Sequence, residues 1–373
     1  MKRSFCRLAM IAALWGLPAG IMAQSNDLTV HGYLTQGYAR STDVPLYGIS
    51  ESGTTDYRAM ALQFRYAISA NQALVFQFSH RRLGQSAIQE TEPDLGLDWG
   101  FYQGRWQGTS VRVGRVPMPR GLFNEVRDVG TLLPFFRASK AFYSEGVETI
   151  DGISVARSFD VGDTGFSLDA SAYYGEFTTR VELASTTGLE VLDNRLYDAI
   201  GGHVQVNTPI AGLRLTGDYL DTEYSSGGDW NLWTVSADLS RDRYFVRGEY
   251  EDVTTFDTDG DQEASYVAYY AQGGVAITPK IWVNGQYEFN HLKYFNILPS
   301  PPLPSPDFEW DNIKDIAAGL SYRFSPMLVL KGEYHWFDGY QLDEPTFPLD
   351  PSTGQGLPSK TTDYFIVSLS AAF

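Results

Sequence analysis

A period of two runs through almost the whole chain, and it limits what the chain can fold into. Leu328, Leu330, Tyr334 and Trp336 share one face of a strand, with Gly332 between them, while Val329, Lys331, Glu333 and His335 share the other. Ile281, Val283, Tyr287 and Phe289 oppose Asn284, Gln286, Glu288 and Asn290 in the same way, and Leu74, Phe76 and Phe78 oppose Gln77, Ser79 and Arg81. Such alternation is the mark of strands with one apolar and one polar face. About sixteen segments carry it, near 28–39, 57–69, 72–82, 96–107, 109–116, 148–158, 164–175, 196–208, 212–223, 230–240, 243–254, 264–277, 280–291, 312–324, 327–338 and 362–373. The gaps alternate. Short ones fall at Ala70-Asn71, Gly108, Val161-Gly162, Pro209 to Ala211, Arg241-Asp242, Thr278-Pro279 and Ser325-Pro326, and long ones near 40–56, 83–95, 117–147, 176–195, 224–229, 255–263, 292–311 and 339–361. The expected fold is all-β, a succession of antiparallel hairpins. With 373 residues a soluble chain would divide into two or three domains, but a closed sheet has no reason to split.

Four strands share a small repeat: Leu215-Thr-Gly217-Asp-Tyr219, Val246-Arg-Gly248-Glu-Tyr250, Val283-Asn-Gly285-Gln-Tyr287 and Leu330-Lys-Gly332-Glu-Tyr334. The apolar face reads aliphatic, Gly, Tyr at the same phase each time. A Tyr near one end of an apolar strand face suits a membrane interface, where the ring is half buried and the hydroxyl wet. A sandwich also alternates, but it gives no reason for this repeat to return on every second strand.

Residues 1–23 read as a secretory signal. Lys2, Arg3 and Arg7 precede an apolar stretch from Leu8 to Ile21, and Ala23 stands at a plausible cleavage point. Residues 24–373 then form a single barrel domain. The lone cysteine, Cys6, lies in the leader, so no disulfide, thiol nucleophile or Cys-based metal site is expected in the mature chain. No later stretch is long and apolar enough for a spanning helix. A closed barrel can still span, because closure pairs every backbone group.

The alternation stops between Gly114 and Gly146. Pro117 and Pro119 end the preceding strand. Then Arg120, Arg127, Arg137 and Lys140 mix with Glu125, Asp128 and Glu145 among Phe and Leu. A loop of this length is functional or disordered, and Phe123, Leu132, Leu133, Phe135 and Phe136 argue against disorder. The expectation is a third long loop folded into the lumen, where it narrows a channel.

The last strand places Phe365, Val367, Leu369, Ala371 and the terminal Phe373 on one face. Here the sequence resembles bacterial outer-membrane barrels, which typically end on an aromatic residue. The strand count, alternating loops and long third loop resemble trimeric porins. The segment Gly114-Arg115 … Gly121-Leu122-Phe123-Asn124-Glu125 … Arg127-Asp128-Val129-Gly130 is similar to their phosphate-selective-type branch. The resemblance implies a transmembrane barrel of the outer membrane, a homotrimer, and passive diffusion of small hydrophilic solutes and ions. Outer-membrane lipid and lipopolysaccharide would be its surroundings. A solute-selective anion porin, or a non-conducting barrel acting as adhesin or anchor, are the alternatives.

Arg65, Arg81, Arg105 and Arg112 fall on the lumen phase of consecutive strands, which makes a basic wall patch facing Glu125, Asp128 and Glu145 of the loop. Weak anion preference is the expectation. Arg115 shares the phase of Val111 and Val113, so it lies at the membrane interface or a bulge turns it inward. The net charge of −17, or about −20 without the leader, speaks against nucleic acid. His31, His80, His203, His291 and His335 stand without a catalytic motif, so no enzyme and no catalytic residue is expected. Asp257 to Glu263 carries its Gly at the wrong place for an EF-hand, and neither metal nor cofactor is expected. Pro299 to Pro306 is a proline-rich stiffener of one external loop.

Overall fold

A computed structural model describes residues 27–373, except 92, 144, 186–187, 226, 296–306, 345, 347, 349 and 351–355. The leader, Cys6 and the proline run at 299–306 lie outside the described residues. Sixteen strands form one closed antiparallel barrel, each paired with its neighbours in sequence. They are β1 (Leu28–Ser41), β2 (Thr54–Ser69), β3 (Gln72–Leu83), β4 (Gly96–Trp106), β5 (Thr109–Pro117), β6 (Thr149–Asp160), β7 (Ser167–Ser185), β8 (Gly188–Asn207), β9 (Leu213–Tyr224), β10 (Asp229–Ser240), β11 (Tyr244–Phe256), β12 (Gln262–Ala276), β13 (Ile281–Tyr294), β14 (Phe308–Ser325), β15 (Leu328–Gly339) and β16 (Lys360–Ala372). A single turn of helix, α1 (Ala87–Thr91), sits in the second long connection.

Closure is made by β1 and β16, in register from Tyr33–Ala372 to Ser41–Tyr364. The terminal residue completes it: Gly32 and Phe373 exchange backbone hydrogen bonds of 3.0 and 2.9 Å. Phe373 also explains Gly32, because a Cβ there would lie 2.6 Å from the Phe373 ring.

The alternation maps onto two surfaces. On β9, Thr216, Asp218, Leu220 and Thr222 are buried, while Leu215 and Tyr219 are exposed. On β15, Lys331, Glu333 and His335 are buried, while Leu330 and Trp336 are exposed. An apolar outside and a polar inside reverse the pattern of a soluble protein and fit a wall solvated by lipid.

Two expectations about connections are corrected. The gap at 176–195 is no loop: β7 and β8 run on as a paired ladder, Phe177–Leu196 through Ser185–Gly188. The gap near 224–229 is a tight hairpin: Tyr224 N–H donates to the Gly228 carbonyl and Gly227 N–H to the Tyr224 carbonyl, each at 3.0 Å. Ser185 to Gly188 and Asp193-Asn194 are turn-favouring in sequence, so the stretch read as a loop while the ladder persists.

Candidate functional site: the segment between β5 and β6

Residues 118–148 join β5 to β6 without pairing into the wall. Their only regular element is a 3₁₀ turn at Asn124–Val126, among the described residues. What holds them is side chains from around the barrel. Gly121 N–H donates to Asp218 of β9 at 3.0 Å, and Leu122 N–H to Glu249 of β11 at 2.8 Å. Ala141 N–H donates to Glu288 of β13 at 3.1 Å, and Phe136 N–H to Glu333 of β15 at 2.7 Å. Lys331 works in the opposite sense, donating to the Gly130 carbonyl at 2.9 Å. From β7, Arg180 N–H donates to the Glu145 carbonyl at 3.1 Å. Backbone that forms no ladder must find other partners when buried, and interior carboxylates provide them. Gly121 has φ +55°, and a Cβ there would lie 2.4 Å from Glu249 Oε2, so the approach requires glycine.

The charged residues expected at this site are held in different ways. Arg120 is buried against Glu251 of β11, its Nε 2.9 Å from Oε2, and its guanidinium lies 4.9 Å from the Phe142 ring centre. Arg137 is held 4.4 Å over the Tyr47 ring. Glu145 gathers three cations: Arg81 of β3 at 2.7 Å, and Arg127 and Lys140 each at 3.6 Å. Arg127 also reaches Glu148 at 3.3 Å, and Lys140 reaches Glu182 at 2.8 Å. Arg112 lies 3.4 Å from Glu125, with both partly exposed. Arg65 and Arg105 stay near the short-turn ends of β2 and β4, apart from this cluster. Arg115 is not on the inner face. It follows the exposed phase of Val113 and pairs with Asp151 at 3.1 Å, reaching only the edge of a cavity where the β4–β5 ladder ends at Gly100–Arg115.

Burial pushes the Glu145 carboxyl up, but Arg81, Lys140 and Arg127 outweigh it and hold it well below the ordinary value of 4.5. A depressed folded value contributes stability in full above the ordinary value and loses it as pH falls through the depressed one. The clamp therefore contributes in full down to about pH 4.5, weakens below it, and lets go as pH falls through the depressed value. Glu145→Gln should remove this acid step and take the shared carboxylate from Arg81, Arg127 and Lys140; Arg127 keeps Glu148 and Lys140 keeps Glu182, so the cost stays below the about 3–5 kcal/mol of a stranded buried charge. Protease nicking of the segment between pH 3 and 7 (~one-unit steps) checks both; a cleavage rate that ignores pH and the substitution would count against the clamp.

Two adjoining cavities remain beside the segment, on the β1–β7 side. One of about 260 Å³ is bordered by Arg81, Asp98, Asp128 and Glu148, and one of about 250 Å³ by His31, Gln77, Asp98, Asp128 and Glu148. Asp98 accepts hydrogen bonds from Gln77 at 2.9 Å and from Ser79. Among the described residues neither Asp98 nor Asp128 forms an ion pair, whereas Arg81 and Arg127 are both engaged with Glu145.

The interior anchors were not among the expected site residues, although a signal was present. In the aliphatic-x-Gly-x-Tyr repeat, the residue between Gly and Tyr is Asp218, Glu249, Gln286 or Glu333. Three of these four are acids, and those three hold the segment.

No protein-family model matches the chain, and no curated protein does. Solved structures match it over nearly their full length. OmpF of Salmonella typhi, in complex with daunomycin, aligns at TM-score 0.60 and 14% identity, covering 94% of this chain and 99% of that one. An anion-selective porin from Comamonas acidovorans aligns at 0.57 and 12%, covering 93% and 99%. The outer-membrane channel DcaP of Acinetobacter baumannii aligns at 0.55 and 12%, covering 93% and 97%. At such identities the likeness is one of fold: the chain has the sixteen-stranded barrel of these porins.

Proposed function

We propose that this chain is a passive diffusion channel of a bacterial outer membrane, exported by a cleaved leader, with the segment 118–148 lying inside the barrel as its constriction. One observation carries the reading. A single segment reaches side chains of β3, β7, β9, β11, β13 and β15, which are spread around a closed wall, and open space adjoins it on the β1–β7 side. A chain can touch all of those strands at once only from within. The apolar outer face supplies the membrane contact, and small hydrophilic solutes are the cargo that a polar, wet interior admits.

A homotrimer fits the porin likeness, and one of the similar structures is described as a trimer form of OmpT from Vibrio cholerae. The resemblance to a phosphate-selective branch adds a narrower reading, but the engagement of Arg120 and Arg127 with Glu251 and Glu145 leaves little free positive charge for phosphate. Planar-bilayer recording tests the reading: the refolded protein should give stable unitary steps in salt. A correctly folded barrel that passes no current would make it an anchor or adhesin instead. Mass measurement in mild detergent tests the trimer.

A further inference from the structure

A third cavity lies on the long-connection side of the segment, apart from the two that border Asp98 and Asp128. It measures about 190 Å³, far more than the roughly 10–15 Å³ that admits one water. Its two sides differ. One is aromatic, made by Tyr224 and Trp230 at the β9–β10 hairpin with Tyr266 and Tyr294 of β12 and β13. These rings are fixed: Trp230 packs edge-on against Phe177 at 6.2 Å, Tyr294 stacks on Trp310 at 5.5 Å, and the Tyr266 hydroxyl donates to the Ala141 carbonyl. The charged lining is Lys140, Glu145, Arg180, Glu182 and Glu251, all committed to ion pairs: Lys140 with Glu182 at 2.8 Å and Glu145 at 3.6 Å, Arg180 with Asp193 at 3.4 Å, and Glu251 with Arg120. Gln341 also borders the space, and its buried Oε1 has no hydrogen-bond partner.

We infer that this cavity is a solute subsite for a single hydroxylated ring, a monosaccharide-sized polyol with one apolar face. Charge chemistry selects the class. A carboxylate or an ammonium would have to separate one of these pairs, Lys140–Glu182 or Arg180–Asp193, to find a partner of its own. A purely apolar ring would dry the charged side without satisfying it. Hydroxyls both donate and accept, so they join paired charges without parting them, and they supply the donor that Gln341 Oε1 lacks. The ring's apolar face lies on the fixed aromatics, whose rotamers cost no further ordering. A cavity with an apolar wall and a few placed polar groups is the usual form of a small-molecule site. The subsite would fill from the long-loop side, before the constriction.

D-glucose titrated into the detergent-refolded protein, with bilayer current recorded in parallel, tests this. The expected result is saturable heat and a reversible drop in current when glucose is added on the long-loop side. Tyr224→Ala with Tyr294→Ala should weaken binding about ten-fold while conductance in sugar-free salt is kept. If that pair disturbs folding by circular dichroism, Gln341→Leu should still weaken binding. No saturable heat, unchanged affinity in a folded variant, or tighter binding of sodium benzoate than of glucose would each overturn the proposal. The current measurement rests on the channel reading and the heat does not. Glucose binding without conductance would sink the channel and keep the subsite.

Discussion

Deleting Leu122 to Leu133 should raise unitary conductance several-fold while the barrel still assembles. The wall is complete without these residues, since every ladder pair lies in β1 to β16. What the deletion removes is cross-section. Phe123 and Leu133 are buried in the cluster formed with Phe142, Tyr143 and Tyr270, and the carbonyls that receive Lys331 belong to the same stretch and its flank. The anchors left behind are tolerable. Arg120 keeps Glu251, and Glu249 keeps Tyr270 and Ser236 as donors. Glu249 and Glu333, once dry, become wet in a wider lumen and regain water as a partner, so the deletion does not strand buried charge. The experiment pairs bilayer recording with circular dichroism of the refolded mutant. A folded mutant with the parent's conductance would mean that the segment is not the constriction.

How much of this was legible in the sequence depends on where two solvents differ. In the apolar belt the wall separates lipid from water, and each residue's polarity reports its face. Strands such as β13 and β15 could therefore be read almost to their ends. Along Phe177 to Arg195 the clusters Ser185 to Gly188 and Asp193-Asn194 carry turn-favouring residues, and the paired extension of β7 and β8 read as a loop. The charged segment was legible as a departure from the wall, and its aromatic content gave away its burial. Its pairing was not. Arg120 meets Glu251 across 131 positions, and no local pattern reports a contact of that separation. Arg115 could be narrowed to two fates but not decided, because its neighbour Asp151 is set by the β5–β6 register. Asp98 was missed because an irregularity in the β3–β4 register, between Gln77 and Phe78, breaks the simple alternation beside it.

That last residue changes the expected ion selectivity. Counting arginines on the lumen phase suggested a weak preference for anions. The structure shows how those arginines are used: Arg81 and Arg127 meet Glu145, Arg120 meets Glu251, and Arg112 faces Glu125. A cation within a close pair contributes little field beyond the pair. Asp98 and Asp128 border both open cavities without such a partner among the described residues. Arg105 lies seven positions from Asp98 on β4, roughly 23 Å along the strand at about 3.3 Å per residue. That distance is well beyond the screening length of about 8 Å at physiological salt, so Arg105 and Asp98 act separately. The narrow part, where charges work at close quarters and in lower dielectric, decides. On the proposed channel function, the pore should therefore prefer cations, unlike the anion-selective porin of similar fold. Under a salt gradient, Asp98→Asn with Asp128→Asn should move the reversal potential toward anions. Arg105→Gln with Arg112→Gln should move it the other way and by less. A wild-type reversal potential on the anion side, or one that the two Asn substitutions leave in place, would return the selectivity to the arginine patch near the short turns.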